Sequence, residues 1–492
     1  MLATSRDNQI QRVLMWLFTI SLILVTFVPR SMDETMFMDG VTYAAISRNM
    51  AEGIGSFWRP FFAHSFWLPY DNSPYFSGHP PLQFGLQALL FRLLGDTPTV
   101  ENVYNLLTLI SHICLIVSIW RHLLPINSGY RHFAWLPILC WYVMMTVRFS
   151  LSNNFLDSTM SQFCLAACYA QLRYEKQEKN RNRGWLLLAG VLVFLAILTK
   201  GPVGLYPLGF TLLFRICYSS QPVRTAWQPT AVMAIAVGIG VLFLALYPPS
   251  REFMTTYLNG QVIQALLEKR ERAATGWTAH FILLRELAVN ILPNLVGLAI
   301  AYGLTFVLRL SPQRGQELNR MARLAALVAL SVIVPMLISV KQYHHYLLPS
   351  LPFVAIFFAA LMAGPVAQLA SCRKALTASL LIVGIIASWG VTFRKVSQIR
   401  PDTWVSNTRI LRKFVPAGST IGICPDLYHL ADIHANLQRH HRLSLTREVE
   451  TVRFVLADSA CAVSLVPKPR VIPLKDGYFL IDRKHEKSFP IR

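Results

Sequence analysis

Eleven long apolar runs set the terms for this chain. They begin near residues 11, 101, 132, 154, 184, 203, 229, 284, 323, 345 and 374. Runs of this kind, ~20 residues long, are what a helix needs to cross a bilayer. Composition agrees: 54% of the 492 residues are hydrophobic and only 14% are charged, which is rare in a soluble chain of this size. The expectation is a mostly α, polytopic membrane protein. It has about eleven spans, or up to about thirteen if a long run splits or a short one crosses. The first run, residues 11–28, has the length of a signal-peptide core, but no small-residue cleavage site follows it, so it reads as a retained helix.

The net charge of +21 raises the question of nucleic acid. Much of the charge, however, sits in short loops between apolar runs, where it orients the chain. The loops RYEKQEKNRNR (173–183) and RLSPQRGQELNRMAR (309–323) are therefore placed in the cytoplasm. Counting spans from them puts residues 30–100, 248–283 and the C-terminus outside. Residues 80–94 then form a helix lying in the interface, as Gln83, Gln87 and Arg92 permit.

Residues 396–492 are a different kind of sequence. STIGIC, TVRFVLA and YFLID read as strands, DLYHLADIHANLQ as a helix and KDGYF as a turn. A small α/β domain follows, with 1–395 as the membrane domain and 30–100 as its first outer loop. Most of the eight cysteines lie in apolar runs, and no pair has CxxC spacing. Cys424 and Cys461 fall in the tail and are candidates for pairing in an oxidising compartment. His429, His434, His440 and His441 read as solvated tail residues without zinc-ligand spacing.

The charge-derived topology brings Asp39, Asp157, Lys200, Lys341, His344 and His345 to one side of the membrane, with Arg59 and His79 on the first outer loop. Charged groups beside a bilayer are costly and commonly mark a site. A carboxylate there can take a proton from a hydroxyl, and lysine, arginine and histidine can hold a departing phosphate. Such a set suits transfer of a group from a lipid phosphate to an acceptor hydroxyl. Plainer roles exist for each: Asp39 and Asp157 as helix caps, Lys200, Lys341 and His344 as anchors at helix ends. No P-loop, dinucleotide glycine pattern or HExxH motif is present, which argues against a nucleotide-driven pump and a zinc protease.

Five short motifs, in order, resemble the GT-C membrane glycosyltransferases of the protein mannosyltransferase type, among them bacterial relatives of the lipid A aminoarabinose transferase. They are DGVTYAAISRNM from Asp39, YFSGHPPLQF from Tyr75, the aspartate Asp157 opening a span, LTKGP at 198–202, and KQYHHYLLP at 341–349. The likeness spans nearly the whole chain, and many members end in a small soluble domain. It departs from the family where Gly40 follows Asp39 in place of glutamate, and where His79 replaces the usual lysine. The pair Asp33-Glu34 lacks the Tyr-Ala helix at the right spacing, so Asp39 is preferred as the family's catalytic aspartate.

The resemblance implies an inverting transferase in a bacterial inner membrane, working on the periplasmic side. Its donor would be a sugar on polyprenyl phosphate, and its acceptor a lipid, glycan or protein hydroxyl. Asp39 would act as base and Asp157 would orient the acceptor or the first loop. Lys200, His79 and Arg59 would receive the phosphate, with Lys341, His344, Tyr346 and Tyr43 lining the site. The segment 248–283, with Lys269 and Arg270, would close as a lid. The resemblance fixes no cofactor: some relatives of the fold use a divalent cation and others do not, and Asp39 and Asp157 are the pair that could share one. The competing reading is a flippase for the same lipid-linked sugar. The gathering of charge at one face disfavours it, because alternating access places polar groups near the midplane.

Overall fold

A computed structural model describes residues 2–67, 73–177, 181–218, 222–267, 276–311, 315–339, 341–464 and 470–483. The chain divides into two compact units, one of residues 1–31 and 105–398, the other of residues 32–104 and 399–492.

The first unit is helical. Among the described residues, seven helices are long and apolar enough to cross a membrane: Gln9–Met32, Val100–Leu123, Val223–Leu246, Ile282–Val307, Gln316–Met336, Leu351–Cys372 and Lys374–Ser397. An eighth span is formed if the pair Gly129–Tyr142 and Met145–Leu151 counts as one. The remaining three apolar runs are also helical, but they are shorter, more polar or broken: Leu156–Glu175, Gly184–Lys200, and a 3-10 turn Pro202–Gly209 continuing as Phe210–Tyr218. The polytopic helical architecture expected from the sequence is present.

The pair Gly129–Tyr142 and Met145–Leu151 bends by 85°. A break inside a membrane protein needs its freed backbone groups satisfied. Two asparagines one turn apart on Ile282–Val307 do this. Asn290 accepts from Thr146 N at 2.9 Å and donates to Thr146 Oγ1 at 3.0 Å. Asn294 donates to Cys140 O at 3.0 Å. Gln171 serves the broken run in the same way, donating to Pro207 O at 2.8 Å and accepting from Thr211 N at 3.2 Å.

The second unit joins the tail to the first outer loop. Its sheet runs in the order 444–446, 420–423, 454–458, 478–482, 470–473. The first three strands are parallel, and the last two add antiparallel. The strands expected at 419–424, 451–457 and 478–482 are present, as is the helix, Ala431–His441. The short edge strands 444–446 and 470–473 carry too little pattern to be read in advance. Ile421, Ile423, Leu445, Val455, Leu456, Leu480 and Ile481 fill the core. Cys424 and Cys461 are joined in a disulfide, with their Cα atoms 6.4 Å apart.

The loop, assigned from sequence to the membrane domain, clusters here with the tail because polar side chains bind them together. Glu34 pairs with Arg409 at 2.6 Å and accepts from Asp402 N. Tyr428 donates to Phe66 O at 3.1 Å, and Ser444 Oγ accepts from His64 N at 3.1 Å. Arg439 is buried against Glu101 and reaches Asp96 at 2.7 Å.

Two tail histidines correct the solvated reading. His434 is 2% exposed, and its Nε2 lies 2.9 Å from Tyr428 O, beside the Trp67 ring. His440 Nε2 is buried without a hydrogen-bond partner. Both sit on Ala431–His441, most of whose residues are buried against the sheet and the loop. Burial pushes His434 down to about 4. Burial, then the Arg439 and Arg412 guanidiniums, push His440 to about 3. A histidine lowered from its ordinary 6.5 stabilises the fold fully above that value, and the stability is lost as pH falls through it. Roughly 3 kcal/mol is expected to be lost through His434 between pH 6.5 and 4. Hydrogen exchange of the tail strands across that interval checks this, and His434→Gln should flatten the dependence.

Candidate active site

In the second unit, Asp39 lies in the first turn of the helix Met38–Ala51. Phe37, not Asp39, is the cap residue, so the cap reading gives way to a carboxylate one step inside the helix. Its charge there complements the positive end of the helix dipole. Tyr43 follows one turn later on the same face, 6% exposed. Its ring centroid lies 6.1 Å from that of His79 and 6.3 Å from Phe76. The structure thus brings Tyr43 and His79 together and places Asp39 one turn from Tyr43. Arg59 is exposed on the two-residue strand Arg59–Pro60 of a small hairpin.

In the first unit, Asp157 opens the helix Leu156–Glu175 behind the cap residue Phe155 and is 1% exposed. Lys200, at the C-terminal end of Gly184–Lys200, forms a short ion pair with it. This pairing replaces simple anchoring of Lys200 at a helix end. The ammonium also lies 4.6 Å from the centroid of the Tyr346 ring. Gly201, at φ +86°, lets the chain turn sharply after it; a Cβ there would collide with the Tyr257 hydroxyl. That hydroxyl donates to Lys200 O at 3.2 Å, so a residue of the expected lid segment fixes the turn.

His344 and His345 belong to the 3-10 turn His344–Leu347. Their rings pack 5.1 Å from Phe149 and 4.8 Å from Phe155, next to the start of the Asp157 helix. Burial lowers His344, against the opposing pull of Glu286 and Asp157. The Lys341 ammonium lies 5.6 Å from the centroid of the Tyr343 ring. Arg270 and Lys269 fall outside the described residues. No group of three or more His, Cys, Asp or Glu close enough to hold a metal ion occurs among the described residues.

Sequence reading missed the buried polar residues that flank Asp157 in the chain. Ser150, Ser152, Asn153, Asn154, Ser158, Thr159 and Ser161 are all buried around the helix start. The density of hydroxyls and amides in SLSNNFLDSTMS, inside an apolar run, was the available signal. It also missed Gln342, which is 1% exposed and donates to His280 O and Ser339 O, both at 3.0 Å.

The fold matches the crystal structure of ArnT from Cupriavidus metallidurans bound to undecaprenyl phosphate. The TM-score is 0.68 over 96% of this chain and 99% of that one, at 14% identity. The chain has the GT-C fold. The apo form of the same protein matches with a TM-score of 0.62, over 95% and 97% at 14% identity. An oligosaccharyltransferase from Archaeoglobus fulgidus, crystallised with zinc and sulfate, matches at 0.50, over 91% and 68% at 15% identity. Residues 78–247 match the dolichyl-phosphate-mannose-protein mannosyltransferase family, a stretch that contains His79, Asp157 and Lys200. No curated protein matches the chain by sequence.

Proposed function

We propose that the chain is an inverting glycosyltransferase that moves a sugar from polyprenyl phosphate to an acceptor hydroxyl on the extracytoplasmic side of a bacterial inner membrane. The observation that carries this reading is the Lys200 group. A cation at the end of an apolar helix is held by a buried carboxylate and an aromatic ring, where an anionic lipid head group can meet it. The shared fold supports it, since ArnT was crystallised with undecaprenyl phosphate. The disulfide in the tail fits an oxidising compartment.

Asp39 takes the proton of the acceptor hydroxyl. The oxygen attacks the anomeric carbon, the bond from that carbon to the phosphate oxygen breaks, and polyprenyl phosphate leaves with the electron pair. Lys200 neutralises the phosphate, and Tyr346 and His344 shape its surroundings. Lys341, Arg59, His79 and Arg270 add positive or hydrogen-bonding groups for donor or acceptor, with Tyr43 packed behind His79. Asp157 holds Lys200 in place. The acceptor is a lipid, a glycan or a protein.

Donor choice tests this directly. Purified protein is expected to transfer label from a polyprenyl-phosphate sugar to a membrane-extract acceptor and to ignore the matching nucleotide sugar. Transfer from the nucleotide sugar in the absence of lipid carrier would overturn the proposal.

A further inference from the structure

Arg48 is the least expected group in the second unit. It stands in RNM, near the C-terminal end of the helix that carries Asp39, and is 1% exposed. Its guanidinium donates to Arg439 O at 3.0 Å, to Gln438 O at 2.9 Å and to Gln438 Oε1 at 3.1 Å. It also donates to Asn49 Oδ1 at 2.9 Å, and Asp96 stands 3.7 Å away. The two carbonyls belong to the last turn of Ala431–His441, the negative end of that helix, where a cation is favoured. Burial pulls Arg48 down to about 10, so it stays charged at neutral pH.

Burying a guanidinium is costly unless its donors are met, and here they are met by the tail. Asn49 extends the brace, donating to Phe61 O at 3.1 Å and Phe62 O at 3.2 Å. On another side, Ser47 donates to Gln87 Oε1 at 3.3 Å and binds the helix to Leu82–Leu94. Asp39 is nine residues before Arg48 on one unbroken helix, about 13 Å along its axis. A tilt at the Arg48 end therefore moves the carboxylate.

We propose that Arg48 is a positioning residue for transfer, and that the tail acts through it to hold the Asp39 helix at its working angle. The inference rests on Asp39 being the base. A planar fork that binds two carbonyls and two side-chain oxygens fixes an angle, which a lysine point charge does not.

Transfer by reconstituted full-length protein tests it, comparing wild type with Arg48→Lys, Arg48→Gln, Gln438→Ala, Arg453→Ala and Asp39→Asn. Displacement of a catalytic group by about 1 Å costs on the order of a hundredfold. Arg48→Gln should lose about that factor in kcat and Arg48→Lys about tenfold. The KM for the lipid donor should stay within about twofold, and the acid limb of the kcat profile should move. Gln438→Ala leaves Arg48 in place and should show a smaller shift of the same kind. Arg453 binds Asp482 at 2.8 Å on the sheet and has no bond to the Asp39 helix, so Arg453→Ala should keep wild-type kcat and pH profile. The inference falls if the Arg48 variants keep wild-type kcat and profile while Asp39→Asn is inactive. It also falls if Arg453→Ala reproduces their effect, because the tail's stability would then be the cause. Full activity of Asp39→Asn would instead remove the transferase reading on which the inference rests.

Discussion

Asp39→Asn is expected to lower kcat about a thousandfold, with the affinity for polyprenyl phosphate unchanged. The size follows from what a positioned base contributes, roughly a hundred- to ten-thousandfold. The substitution keeps the shape and the place in the first helical turn but removes the ability to take a proton. Loss of the carboxylate's interaction with the helix dipole costs under about 1 kcal/mol, too little to unfold the unit. Turnover under saturating donor, beside a binding isotherm for the carrier, separates the two effects. A matching fall in carrier affinity would place Asp39 with the phosphate rather than with the acceptor.

The second large effect is expected at Asp157 and Lys200. Both side chains are sheltered, at 2% and 11% exposed. Removing one partner leaves the other charge uncompensated, which costs roughly 3–5 kcal/mol. Asp157→Leu should therefore lower the unfolding midpoint strongly, and Lys200→Met should do the same. The double variant removes both charges and keeps the volume, and buried pairs replaced in this way are often neutral or stabilising. It should recover most of the stability while remaining inactive, because the phosphate has lost its cation. A double variant that regains transfer would show the pair to be structural only. One as unstable as the single variants would show that the start of the Asp157 helix needs the charges.

Much of this architecture was legible because it rests on local patterns. All eleven apolar runs are helical, and three of the five tail strands follow from short β-branched and aromatic stretches. Legibility stopped where distant residues decide the outcome. The 85° bend depends on Asn290 and Asn294, and nothing in the sequence around residue 143 announces them. The grouping of the first loop with the tail depends on Arg48 and Arg439, whose partners lie far away along the chain.

The candidate residues followed the same division. Asp39 and Tyr43 share a helix, and their relation could be read from spacing. Asp157 and Lys200 were each singled out, but only the fold pairs them. His434 and His440 read as solvent-facing because a polar residue in a short amphipathic helix does so until its neighbours are known, whereas His429 is exposed as expected. His434 is covered by Trp67, a residue of the first outer loop.

Transfer of the sugar has to release the carrier in equal amount. Purified protein in liposomes would be given a polyprenyl-phosphate sugar labelled in the sugar, with a membrane extract as acceptor. Label is expected to enter a glycolipid, glycan or protein while free polyprenyl phosphate accumulates in equal amount. Label that crosses the bilayer still attached to its carrier, with no free polyprenyl phosphate formed, would contradict transfer and identify a flippase.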